Sequence, residues 1–317
     1  MTKTLIIIGA GSSKNIHKSF PTGIELAHFV DVHLISTKKP TNEPTCPYIS
    51  PMINEAFRVF KYNVNYLDVL IDKLKIELWA YTRKYDYYSY RTGADPISID
   101  KLISSKFGCD ADVYNLAKQC LAYHLKGQED SYFDTVNETS NSNDLWIENI
   151  YTILKSRGAT FNDIKNNLSV LSFNYERLFE YLSCKAINNL YNENVKELPF
   201  INYIYGNFGS LKEVPFKKRN DSEIFRKYCY EKLKFIGERE KITYKPNLDN
   251  YEKVLFIGFG YDKDNLTDTL TIKNVKTAQL IGMCSELDQF YSKIESDYKI
   301  KMVESGYKIS DFINGQL

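Results

Sequence analysis

Apolar positions along this chain follow two rhythms: short unbroken runs that stop at small or polar residues, and longer stretches with helical spacing. The first run, Thr4-Leu5-Ile6-Ile7-Ile8, stops at Gly9-Ala10-Gly11-Ser12. An unbroken apolar run of this length predicts a strand buried on both faces, as in an open parallel sheet. The next helical signal is delayed. Thr22-Gly23-Ile24-Glu25 has capping-box spacing, and Leu26, Phe29, Val30, His33 and Leu34 then recur at helical intervals. A long loop is therefore expected between the first strand and the first helix.

The strand-then-turn signature returns in the second half. Residues 168–173 form an apolar run that stops at Asn174-Tyr175-Glu176, with a helix expected from Leu178. Residues 200–205 stop at Gly206-Asn207-Phe208-Gly209-Ser210, and residues 254–257 stop at Gly258-Phe259-Gly260, with Asp264-Asn265-Leu266 opening a helix. Two more strands are predicted at 278–282 and 300–303, the last followed by a short helix near 309–313. Six such strands predict the α/β class: a Rossmann-like doubly wound parallel sheet whose strand ends contribute to one crevice.

Between the first and second strands the pattern is helical. Residues 38–51 are rich in Pro, Thr and Asn and read as a boundary. Tyr66, Leu67, Leu70, Leu74 and Leu78 share one helical face, and Val113, Leu116, Ala117, Cys120, Leu121, Tyr123 and His124 form a second amphipathic run. After a polar stretch, Leu145-Trp146-Ile147 starts another helix. The expectation is an all-helical insertion over 37–164 in a sheet domain made of 1–36 and 165–317.

Composition narrows the function classes. The 317 residues carry 41 Lys+Arg against 40 Asp+Glu, a formal net charge of +1. No global basic field exists to displace counterions from nucleic acid or to seek an anionic membrane. Cysteines at 46, 109, 120, 184, 229 and 284 have no short pairing, so neither a zinc ribbon nor a redox pair is expected. The apolar N-terminal run leads into a glycine turn, and no stretch approaches the roughly 20 apolar residues that a bilayer requires. A cytoplasmic protein is expected, with no metal.

Glycines after a buried strand let the backbone approach a pyrophosphate closely, and a helix N-terminus adds positive potential there. A side chain at Gly11 would fill the space such a phosphate needs. Lys14 stands where G-x-G-x-x-G requires its third glycine, so the ordinary dehydrogenase fingerprint is incomplete. Asn174 is also suited to capping the helix from Leu178.

Taken in order, Gly9-Ala10-Gly11-Ser12, Pro21-Thr22-Gly23, Phe173-Asn174-Tyr175-Glu176, Tyr205-Gly206 and Gly258-Phe259-Gly260 resemble the sirtuin-like NAD-binding family. The resemblance is nearest to bacterial sirtuin-like NADases of anti-phage and abortive-infection defence. It covers the sheet residues and fits the helical insertion only loosely. It implies that Gly9, Ala10, Gly11 and Ser12 cradle the NAD pyrophosphate and that the loop through Pro21 and Thr22 folds over the nicotinamide ribose. It implies further that Asn174 holds that ribose and positions the attacking water, and that Gly258 and Gly260 form the turn on the adenosine side. Glu176 stands where the family has aspartate, a longer carboxylate in the nicotinamide pocket.

Tyr205-Gly206 replaces the family's His-Gly pair. A phenol titrating near 10 is a far weaker base at neutral pH than an imidazole, so the usual proton acceptor is missing. His17, in the loop over the cofactor, is the histidine that could take its place. The expected activity is hydrolysis of NAD to nicotinamide and ADP-ribose, with catalysis resting on Asn174 and Tyr205. The alternative is a degenerate module that binds NAD or ADP-ribose without chemistry. A defence-system partner protein or phage trigger and a homo-oligomer are also expected; charge balance and the lack of a spanning stretch argue against a membrane or direct nucleic acid contact.

Overall fold

The computed structural model describes residues 1–16, 111–136, 145–214, 232–234, 244–284, 287–306 and 308–317, with Phe20, Glu25 and Lys73. The helices expected from Thr22 and over 66–78 lie outside the described residues, as do His17, Pro21 and Thr22.

Six strands assemble: β1 (Thr4–Ile8), β2 (Leu168–Ser172), β3 (Ile201–Tyr203), β4 (Lys253–Ile257), β5 (Gln279–Cys284) and β6 (Lys301–Glu304). All pair in parallel, in the order β3-β2-β1-β4-β5-β6. This is the doubly wound Rossmann order, and its reversal point lies between β1 and β4, where such sheets take their ligands. The register is in step across the centre, with Ile8 beside Ser172 on one flank and Ile257 on the other. The ends of β1, β2 and β4 therefore reach the same level.

Alternation along the strands sorts the core into two layers. Ile6, Ile8, Val170, Leu255 and Ile257 face one side of the sheet, and Leu5, Ile7, Leu171, Val254 and Phe256 face the other. Both faces are covered, which is why β1 and β4 carry unbroken apolar runs rather than alternating ones.

The described α-helices are α1 (Ala10–Ile16), α2 (Ala111–Val136), α3 (Trp146–Ser156), α4 (Phe161–Asn167), α5 (Leu178–Tyr191), α6 (Gln289–Tyr298) and α7 (Ile309–Gln316), with short 3-10 turns at Leu248–Asn250 and Ile272–Asn274. In α3, Trp146, Ile147, Ile150, Tyr151 and Leu154 recur on one face and join the layer of Ile6 and Val170. This helix, which the sequence assigns to the insertion, packs against α5 and α7 and so belongs to the same apolar cluster as the sheet residues. Helix α4 is opened by a capping box in which Thr160 accepts from the Asp163 amide and Asp163 accepts from the Thr160 amide. Among the described residues, no helix is long and apolar enough to cross a membrane.

Two expectations need correction. No long loop separates β1 from a helix, because only Gly9 lies between the strand end at Ile8 and the start of α1 at Ala10. Gly11 lowers helix propensity but does not forbid a helix that is held by tertiary contact. The helix expected at Asp264-Asn265-Leu266 is a single π turn, Asn265–Thr269, and Thr271 follows it at φ 48°. That left-handed residue ends the helical path.

Candidate functional site

The reversal point is built from glycine backbone. The Gly9 amide donates to the Ile257 carbonyl and the Gly11 amide to the Gly258 carbonyl, each at 3.1 Å. Gly258 has φ +57°, and a Cβ there would lie 2.0 Å from the Ser12 nitrogen. At Gly9 a Cβ would lie 2.6 Å from the Gly258 oxygen, and at Gly11 it would lie 3.1 Å from the Gly258 Cα. A side chain at Gly11 would therefore press on the Gly258 backbone. Ser12 is turned inward as well: its amide and its hydroxyl both donate to the Gly9 carbonyl, at 2.9 and 2.7 Å. Gly260 differs from these three. It is exposed, and a Cβ there would meet nothing within 4 Å.

One turn into α1, Ser13 meets the loop after β2. Its hydroxyl donates to Glu176 Oε1, while the Asn174 side-chain amide donates to Ser13 Oγ at 3.1 Å and to Glu176 Oε1 at 2.9 Å. The loop itself is braced by the Asn174 amide donating to Ser172 Oγ at 3.1 Å. Glu176 Oε2 accepts the Leu178 amide at 2.6 Å. The first turn of α5 is therefore satisfied by Glu176, not by Asn174 as expected. Asn174 keeps its side-chain oxygen for another use: the residue is 5% exposed, and Oδ1 has no hydrogen-bond partner among the described residues. A buried acceptor left unmatched is costly, so this atom suits a hydroxyl or water donor.

Glu176 has unusual acid–base character. Burial raises its pKa from 4.5 to about 7, against the opposing pull of hydrogen bonds from Ser13, Leu178 and Asn174. A carboxyl group that titrates near neutrality can both accept and release a proton under ordinary conditions.

Tyr205 lies in a turn two residues past β3. Its ring packs edge-on to Phe173 at 5.8 Å and tilted against Tyr175 at 6.0 Å, and its hydroxyl donates to Asn265 Oδ1. The side chain is a buried part of the aromatic wall beside the β2 and β4 ends. Gly206 has φ +73° and serves another contact: a Cβ there would lie 2.0 Å from the Lys232 oxygen.

The structure thus brings Gly9, Gly11 and Gly258 into one packed crossing, and Asn174 and Glu176 into one hydrogen-bonded cluster beside it. Ala10 opens the helix between them. Sequence reasoning missed Ser13, whose only signal was its place in the Ser12-Ser13 pair. It also missed Arg177, which is fully buried and paired with Glu129 across 48 positions, a contact without local signature. Among the described residues, no group of three or more His, Cys, Asp or Glu side chains is placed to hold a metal ion. The chain matches no protein-family model and no curated protein.

Proposed function

We propose that the crevice beyond β1, β2 and β4 binds NAD and that the protein hydrolyses it to nicotinamide and ADP-ribose. The observation that carries this reading is the buried, unmatched Oδ1 of Asn174, held at the reversal point of a doubly wound sheet. A ribose hydroxyl or an attacking water supplies the donor that this atom lacks. The resemblance to sirtuin-like NADases assigns the same asparagine to the same task, and through it the activity belongs to anti-phage defence in the cytoplasm.

In hydrolysis, the water oxygen bonds to the ribose carbon as the glycosidic bond breaks, and the bonding pair leaves with nicotinamide. One proton of the water is released. Glu176, poised near neutrality and joined to Asn174, is the group on this chain suited to receive it. This role answers the absence of the family histidine better than Tyr205 does, because the tyrosine hydroxyl is engaged with Asn265. The same engagement supports the second reading, a module that binds NAD or ADP-ribose and performs no chemistry.

Gly260 provides the test. A ligand at hundred-fold excess over its Kd adds about 2.7 kcal/mol to the folded state, so NAD raises the melting temperature of the parent. Gly260→Asp leaves the fold intact, since the side chain meets open space, yet it sets a negative charge where the adenosine-side turn meets the ligand. The shift is expected to vanish in this variant. A full shift in Gly260→Asp, or none in the parent, overturns the assignment. Nicotinamide release from NAD then separates hydrolase from binding module.

A further inference from the structure

Arg177 follows Glu176 directly and is 0% exposed, as is its partner Glu129 on α2. A guanidinium cannot lose its proton inside a protein, so burial demands that its donors be met. Here they are met from two directions. Nε donates to Glu129 Oε1 at 3.2 Å and Nη2 to Glu129 Oε2 at 2.6 Å, while Nη1 serves the carbonyls of Gly209, Ser210 and Val214 at 3.0, 3.3 and 2.7 Å. Glu129 Oε1 also accepts the Arg177 backbone amide at 2.7 Å. The Phe208 ring lies 6.0 Å from the guanidinium carbon. One residue therefore ties three segments: the loop that carries Asn174 and Glu176, the segment after β3, and a helix outside the sheet.

Helix α2 brings more charge to this point. Lys126, buried beside Glu129, lies 3.8 Å from Glu129 Oε2 and bonds Asp130. Such an arrangement is poorly suited to adding stability alone, because a buried pair is readily replaced by apolar side chains. It is well suited to fixing backbone position, since the bidentate fork and the amide contact allow one geometry only.

We infer that Glu129, acting through Arg177, is a positioning residue for the Asn174–Glu176 loop, so that α2 is part of the support of the site. The consequence for catalysis rests on the function proposed above; the mechanical tie does not. Displacement of α2 strands the Arg177 charge and frees the backbone that holds Asn174 Oδ1 in place.

Hydrogen exchange on the full ligand-free chain reads the tie directly. In Glu129→Gln, exchange over 173–178 and 209–214 is expected to rise about ten-fold or more while β1 and β4 keep their protection; Glu129→Asp, which retains the charge, returns most of it. Should Glu129→Gln fail to fold, the pair Glu129→Leu with Arg177→Met removes both charges but leaves the Arg177 amide and the Gly209, Ser210 and Val214 carbonyls without those partners, so the same two segments are expected to loosen. Nicotinamide release supplies the second readout: kcat falls about ten-fold or more in Glu129→Gln with KM changed less than about three-fold, as expected for a misplaced rather than an absent group. Unchanged exchange in the two segments, or an equal rise in β1 and β4, overturns the inference. So does a proportional loss through KM alone. A parent that releases no nicotinamide removes only the functional reading, and the exchange result then decides the tie by itself.

Discussion

The Gly11 amide donates to the Gly258 carbonyl at 3.1 Å, joining the first turn of α1 to the loop after β4 at the point where the strand order reverses. Both residues are glycine where the two backbones touch. Gly258→Ala would place a Cβ 2.0 Å from the Ser12 nitrogen on a residue with φ +57°, so clash and strain act together. The expected loss of stability exceeds about 2 kcal/mol. Gly260→Ala, in open space, stays within about 1 kcal/mol of the parent. Urea unfolding of both variants checks the contrast, and equal effects would contradict it.

Asn174 and Tyr205 should separate in kinetics. Asn174→Ala removes the unmatched acceptor and the donor to Glu176, and nicotinamide release is expected to fall about 100-fold or more. Tyr205→Phe deletes a hydroxyl already held by Asn265 and leaves the ring in its aromatic wall, so a loss of about ten-fold or less is expected. Equal and severe losses would make the tyrosine an activated group.

Glu176 makes stability depend on pH with a definite sign. Its folded pKa, about 7, stands above the ordinary 4.5, so between these values the folded chain holds a proton that the unfolded chain has released. Stability from this group therefore falls as pH rises through that window and is level above it. Glu176→Gln lacks the slope. Relative to the parent, the variant should be more favourable at pH 8 than at pH 5 when urea midpoints are compared; a difference independent of pH would remove the assignment.

Asp249 carries the opposite sign. Its carboxylate accepts the Lys276 and Thr277 amides at 2.9 and 2.8 Å, which lowers its pKa from 3.8 to about 2. The stability it lends is present above the unfolded value and is lost as pH falls through the folded one. Asp249→Asn should lower the melting temperature at pH 7, and the difference should shrink as pH falls through about 2, measured by circular dichroism.

Much of the sheet was legible in the sequence because its signal is local. Thr4–Ile8 and Lys253–Ile257 are buried on both faces, and burial on both faces writes itself as an apolar run. Strand ends were legible for the same reason: the run stops where the chain leaves the layer. Asn174 and Glu176 follow β2 in sequence, so their arrival at the crevice follows from the strand.

The partners of those residues were not legible. Ser13 meets Glu176 across 163 positions and Glu129 meets Arg177 across 48, contacts that no periodicity encodes. The contacts of the glycines were not legible either: the Gly9 and Gly11 amides donate to the Ile257 and Gly258 carbonyls, and α1 starts at once at Ala10. The sequence by itself determined which segments are strands, because hydrophobic burial acts residue by residue along the chain. The tertiary structure alone decided which polar atoms are satisfied and which, like Asn174 Oδ1, have no partner among the described residues, because hydrogen bonds depend on where distant segments meet.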